Sequence, residues 1–403
     1  MINTKLELPC GEILKNRIVK SAMSENLAKS DHAPWSGFNK LYSQWVDAGL
    51  VITGNVMVDS SALGEPNNIV IEKGRENLEA LSSWAKAGTQ KNCHLWVQLN
   101  HPGKQSPKYL SKVPVAPSAI GYKSHLKNMF NTPRELSELE IWDIIGRFAY
   151  AAEMVKRSGF TGVQIHGAHG YLISQFLSPR HNQRSDKWGK DRSLFVIEIY
   201  KAMRKSVGEH FPIGIKLNSA DFQKDGFSTE ESMDVILKLS ELGVDLIEVS
   251  GGSYEAPVMM KGKKESTLKR EAYFLDYAKE LKKHTQTPIV LTGGFRTQKG
   301  MIEALENHAC DLIGLARSMA IDPDFAHKLL NDMNVDSPVK PLSTGFKTLD
   351  KIFPLEIIWY TDQLHRMAKG KRPNPNANVF KTCLSSLKSI GIQVLKPVRN
   401  SSE

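Results

Sequence analysis

The stretch SELEIWDIIGRFAYAAEMVKRSGFTGVQIHGAHGY, residues 137–171, decides the fold. Its first part is a helix over Glu138–Ser158. Ser137 and Glu140 form a capping-box pair ahead of it, and Gly159 follows it, where a C-terminal glycine belongs. Gly162–His166 then reads as a short strand, and the chain turns polar at His166-Gly167-Ala168-His169-Gly170-Tyr171. This helix–strand–polar-loop phrase recurs in both directions. Strands are expected at Ile18–Met23, Leu50–Val58, Leu95–Asn100, Gly162–His166, Ile213–Asn218, Leu246–Ser250, Pro288–Thr292 and Leu312–Leu315. Several are continuous apolar runs, as a parallel sheet covered on both faces requires. Helical patterns lie between them, with Gly49 and Gly243 read as further helix stops. Eight such units in order predict an α/β fold, a (β/α)8 TIM barrel.

The barrel is assigned to residues 1–335. The stretch 101–133 after the third strand is long and rich in Lys, Ser and Pro, and is expected to be a lid or insertion over the barrel mouth. Beyond residue 335 the pattern ends. Two amphipathic helices, Phe353–Ala368 and Val379–Ile390, are expected in a C-terminal helical appendage, residues 336–403. From Lys340 onward, eight lysines and three arginines face two aspartates and two glutamates. This tail therefore carries +7 of the chain's +10. Such a tail suits a solvated face, a contact between copies in a homo-oligomer, or an anionic partner.

Of the 403 residues, 41% are hydrophobic and 24% charged, a globular composition without a run long enough to span a membrane. No signal-peptide pattern opens the sequence, so a cytoplasmic location is expected. Cys10, Cys93, Cys310 and Cys383 stand far apart, which argues against a zinc site, an iron–sulfur cluster or a disulfide framework.

Barrel active sites lie at the C-terminal strand ends. Gly293-Gly294 after the seventh strand and Gly314 to Arg317 at the eighth make a phosphate site, because glycines expose backbone N–H groups and Arg317 adds a charged fork. His166 and His169 sit three residues apart at the end of the fourth strand. They can hold a metal or donate hydrogen bonds to a substrate oxygen, with the Tyr171 hydroxyl two residues further on. The segment lacks the carboxylate of an H-E-x-x-H site, and no metal is assigned. Lys216, if it points into the barrel, needs an anionic partner, and a ligand is the expected one.

Three motifs, LKNRIVKSAM (14–23), VQLNHPGKQ (97–105) and IHGAHGYLISQFLSPRHNQRSDKWG (165–189), resemble the old yellow enzyme family of FMN-dependent NAD(P)H:flavin oxidoreductases, in matching order over about residues 5–335. The resemblance implies a barrel that binds FMN and takes electrons from NADH or NADPH. By position, Ser21, Ala22, Met23 and Ser24 would line the flavin, Asn55 would lie near its edge and Gln98 would bond its pyrimidine ring. Lys216 stands where the family commonly has an arginine beside N1. Gly294, Ala316 and Arg317 would hold the phosphate. His166 and His169 would bind the oxygen of an electron-withdrawing group, and Tyr171 would protonate carbon. The implied activity is an ene-reductase acting on a small electrophilic alkene, an α,β-unsaturated carbonyl or nitro compound. Ser24 stands where many bacterial members carry a cysteine or threonine, and Asn26 where one subgroup has a tyrosine.

Two rival readings fit less well. A barrel of the tRNA dihydrouridine synthase kind would need a cysteine in the loop Asn100–Gln105, which has none, so a nucleic-acid partner is not expected. A non-catalytic barrel for a phosphorylated ligand leaves His166, His169 and Tyr171 without a purpose.

Overall fold

The computed structural model describes residues 1–256, 271–331, 333–346, 350 and 354–385. Eight parallel strands close into a barrel: β1 (Ile18–Lys20), β2 (Leu50–Met57), β3 (His94–Asn100), β4 (Gly162–Gly167), β5 (Ile213–Asn218), β6 (Leu246–Ser250), β7 (Ile289–Thr292) and β8 (Leu312–Leu315). Closure is direct, since Val19 of β1 lies beside Gly314 of β8 on one side and Leu50 of β2 on the other. The outer ring comprises α1 (Ser36–Tyr42), α2 (Leu78–Gly88), α3 (Glu138–Arg157), α4 (Leu194–Val207), α5 (Thr229–Glu241), α6 (Leu275–Leu281), α7 (Gln298–Glu306) and α8 (Phe325–Leu330). The Ser137–Glu140 capping box is present, and Ser228–Glu231 forms a second one at α5; each cap is worth about 1 kcal/mol.

Period-2 alternation sorts each strand into an outer face packed on helices and an inner face. The inner face changes character along the axis. At the N-terminal end Val19, Leu50, Ile52, Trp96, Leu246, Val290 and Leu312 form an apolar layer. It is floored by Leu14 of the antiparallel pair Leu6–Glu7 and Ile13–Leu14, and by Leu8, which follows the first of these strands. The Trp96 indole fits because Gly162 and Gly214 flank it; a Cβ on either would come within 2.8 Å of the ring. The next inner positions are polar: Ser21, Gln98, Gln164, Lys216, Glu248 and Thr292, all buried. The mouth is built above them.

Gly159 and Gly243 end helices with positive φ, as a C-terminal glycine does. Gly49 is glycine for a different reason. Its φ is not positive, and a Cβ there would meet the Asn16 carbonyl oxygen at 2.3 Å. It is a close approach between chain segments rather than a left-handed stop.

The stretch after β3 holds a short parallel pair, Val115–Ala116 with Arg134–Glu135. Helix α9 (Leu355–Ala368), in the predicted extension, buries its apolar face through Trp359, Tyr360, Leu364, Met367 and Ala368. These join the same core as the barrel helices, against α1. Residues 379–385 are helical; residues 386–390 of the second expected helix, and Phe353 of the first, lie outside the described residues. Among the described residues no helix is long and apolar enough to cross a membrane.

Candidate active site

A cleft opens at the C-terminal strand ends. Its wall contains Ala22, Met23 and Ser24 after β1, Asn55 of β2, Gln98 of β3, His166, His169 and Tyr171 from β4, Lys216 of β5, Gly251–Tyr254 after β6, and Arg317 after β8. Asn55 reaches this face because the β2–β3 register shifts between Ile52 and Asn55. The Thr53 hydroxyl bonds within the bulge, donating to the Gly54 carbonyl and accepting from the Gln98 N–H. Without that extra residue Asn55 would face the helices.

The polar layer beneath the cleft is one connected network. Lys216 is 4% exposed and its partner is Glu248, at 3.0 Å and fully buried. Gln164 Nε2 and Thr292 Oγ1 each donate to Glu248 at 2.7 Å, and Gln98 Nε2 donates to Gln164 Oε1 at 2.7 Å. Burial pushes the Glu248 carboxyl up, but the Lys216 ammonium and these hydrogen bonds outweigh it and hold the group below the usual carboxylate range. The expected partner of Lys216 was a ligand alone; the protein itself supplies a carboxylate.

His166, His169 and Tyr171 converge. The imidazole centroids are 5.2 Å apart and edge-on, and the Tyr171 ring is 4.9 Å from His166. Burial, with the nearby His169 and Lys216 charges, holds His166 well below its ordinary value. Burial and Lys216 lower His169 to about 3. Both rings are neutral at pH 7. Burial raises Tyr171 well above its ordinary value, so its proton stays on.

Ser21, Gly294 and Ala316 are not in the cleft wall. The Ser21 hydroxyl is in hydrogen-bond contact with Thr292 Oγ1 at 2.9 Å inside the barrel. Gly294, with φ near +99°, turns its backbone against Ala272 and Tyr273, where a Cβ would be crowded to 2.9 Å. Ala316 precedes the short helix Arg317–Ile321. Arg317 does face the cleft and pairs with Glu356 of α9 at 2.8 Å.

Sequence reasoning missed several residues of the site region, among them Glu248, Tyr254, Glu356 and Ile357. Glu248 was detectable as a lone carboxylate of inward parity in an apolar strand. Tyr254 follows the Gly251-Gly252 turn and stacks on Phe130 of the loop 101–133, with centroids 6.3 Å apart. Glu356 and Ile357 come from α9, a helix read as an appendage. That helix also grips the pocket segment: Thr361 donates to the Ser24 carbonyl at 3.3 Å and His365 Nε2 to that of Glu25 at 2.8 Å.

The donor set fits a flavin. Gln98 spends its Nε2 on Gln164, which leaves Oε1 for an incoming N–H. Asn100, two residues on and of the same parity, is fully buried with both side-chain polar atoms unpartnered. A cation, amides and one apolar flank suit a flat ring with polar and apolar edges.

A (β/α)8 barrel with this cleft can accommodate a flavin at its C-terminal strand ends. The chain belongs to the NADH:flavin oxidoreductase / NADH oxidase family, whose sequence model matches residues 10–336. NADH-dependent flavin oxidoreductase iliE of Hypocrea jecorina is 39% identical over 346 residues, 79% of this chain and 86% of its own. NADPH dehydrogenase of Clostridium acetobutylicum is 30% identical over 347 residues, covering 83% and 96%. The solved structure of an old yellow enzyme homologue from Zymomonas mobilis superposes with a TM-score of 0.71 at 24% identity, covering 84% of this chain and 94% of that one. The protein is a flavin oxidoreductase, with FMN as cofactor and NADH or NADPH as reductant.

Proposed function

We propose that this enzyme reduces the activated C=C bond of small electrophilic alkenes, α,β-unsaturated carbonyl or nitro compounds, using NADH or NADPH. The observation that carries the reading is the convergence of two neutral imidazoles and a protonated phenol, His166, His169 and Tyr171, on one cleft. Ala22, Met23, Ser24, Asn55, Gln98 and Lys216 would hold the ring of FMN. Arg317 would hold its phosphate, with the Ser21, Gly294 and Ala316 segments behind them. FMN, when bound there, would supply two-electron hydride-transfer chemistry.

The two imidazole N–H groups bind the substrate's carbonyl or nitro oxygen. They stabilise the negative charge that develops there, the chemistry of an oxyanion hole. The Tyr171 hydroxyl donates the proton to the carbon alpha to that group as general acid. Burial excludes water, which strengthens both contacts.

A phenolate mimics the enolate oxygen. Para-substituted phenols are therefore expected to bind the oxidised enzyme and give a long-wavelength charge-transfer band. Replacing His166 or His169 with Ala removes one donor, worth about 2.7–4 kcal/mol in comparable sites. Phenol affinity and enone turnover should fall together. Phenol binding that is unaffected by both substitutions would contradict the assignment.

A further inference from the structure

The cleft needs both imidazoles to present an N–H, and a neutral imidazole has only one. Which nitrogen carries it is set by what the other nitrogen meets. For His166 the backbone decides. Its Nδ1 lies 3.3 Å from the Ala168 N–H, which can only donate, so Nδ1 is bare and the proton is on Nε2.

His169 is held from three sides. It is a non-glycine residue with φ near +62°, an uncommon conformation that needs support. Its N–H donates to Asn218 Oδ1 at 3.3 Å, and its carbonyl accepts from Gln105 Nε2 at 3.1 Å. Its ring Nε2 lies 2.8 Å from the Ser250 hydroxyl at the end of β6. Nδ1 is therefore the nitrogen left for a ligand.

Ser250 is 1% exposed, and His169 Nε2 is the hydrogen-bond partner found for its hydroxyl among the described residues. If Nε2 donated, the serine proton would be buried without an acceptor, which is unfavourable. If the serine donates, its proton is satisfied, Nε2 is bare, and Nδ1 carries the hydrogen.

We propose that Ser250 is a positioning residue that fixes His169 as the Nδ1–H tautomer, so that the pair offers complementary donors, Nε2–H from His166 and Nδ1–H from His169. The role assigned to that second donor rests on the oxygen-binding function proposed above; the tautomer does not. Without the serine, His169 reverts to the Nε2–H form that neutral imidazole favours in water, and the donor is lost.

The test is nitrogen-15 NMR of FMN-loaded enzyme labelled at histidine, with His169 assigned by difference from His169→Asn. Two-bond proton couplings distinguish a protonated Nδ1 from a protonated Nε2. The wild type should show His169 protonated at Nδ1, Ser250→Ala should move the proton to Nε2, and Ser250→Thr, which keeps a hydroxyl, should restore Nδ1–H. Titration with p-hydroxybenzaldehyde should show Ser250→Ala weakened roughly tenfold or more, the order expected for one lost hydrogen bond, and Ser250→Thr recovering. A wild-type His169 protonated at Nε2 overturns the proposal whether or not Ser250→Ala folds. So does a Ser250→Ala spectrum that keeps Nδ1–H while phenol affinity drops, since the serine would then act only as packing. If the tautomers behave as described but phenols never bind, the positioning stands and the oxygen-binding role fails.

Discussion

Replacing Lys216 with Met should reveal how the charge under the cleft is balanced. Lys216 and Glu248 are a buried pair, 4% and 0% exposed, 3.0 Å apart. Removing one partner of such a pair typically costs about 3–5 kcal/mol, because it leaves an uncompensated charge in a low-dielectric interior. With an unfolding entropy of about 2.1 cal/mol/K per residue over 403 residues, each kcal/mol moves Tm by only about 1.2 °C. The single variant should therefore melt about 4–6 °C lower at pH 7 by calorimetry.

The pH dependence has a definite sign. In the wild type the depressed Glu248 value contributes stability above the unfolded carboxylate value near ~4.3, and this is lost as pH falls through the folded value. In Lys216→Met the buried carboxyl has lost its ammonium and is pushed above ~4.3. Its cost exists at neutral pH and disappears on acidification. The deficit should be largest at pH 7 and shrink toward pH 4. Lys216→Met/Glu248→Gln should recover most of the loss, since the orphaned charge is gone. The flavin potential should fall further in the single variant, which keeps an unbalanced negative charge, than in the double. A single variant as stable as wild type at pH 7, or a double no better than the single, would refute the pairing argument.

Other perturbations follow from particular contacts. Arg317→Ala should weaken FMN retention roughly tenfold or more, since a charge-assisted hydrogen bond contributes about 1.5–3 kcal/mol; FMN fluorescence recovery on dilution measures it. Trp359→Ala on α9 removes an indole that is 2% exposed and donates to the Ala377 carbonyl at 3.1 Å. A loss of about 3–5 kcal/mol is expected by denaturant unfolding, and an unchanged midpoint would show that α9 is not part of the barrel core.

Much of the barrel was legible because each strand is short, apolar and followed by a polar turn. β5, β6 and β8 begin and end where the sequence places them. His166, His169 and Tyr171 were legible because one strand end carries all three. What escaped depends on partners far apart in the chain. Alternation along β2 puts Asn55 on the outer face, and only the bulge at Thr53-Gly54 turns it inward; its place had come from family resemblance. Glu248 is visible in β6, but its pairing with Lys216 needs the β5–β6 register. Glu356 lies 39 positions beyond Arg317, with Ile357 next to it. Nothing in an amphipathic pattern says that their helix folds back over the barrel mouth. Gly49 reads as a helix stop because its steric partner, Asn16, lies far back in the chain, before β1.

The central claim is tested most directly by anaerobic stopped-flow reoxidation. Enzyme reduced with one equivalent of NADH is mixed with 2-cyclohexenone, and flavin absorbance is followed alongside the product. The account predicts that the flavin reoxidises at a rate that depends on enone concentration, with stoichiometric cyclohexanone. It also predicts that Tyr171→Phe is reduced normally by NADH but reoxidised by the enone about 10²–10⁴-fold more slowly, the range for loss of a general acid. A reduced flavin that responds to oxygen but to neither enones nor nitroalkenes, or a Tyr171→Phe variant that turns over enone like the wild type, would contradict it.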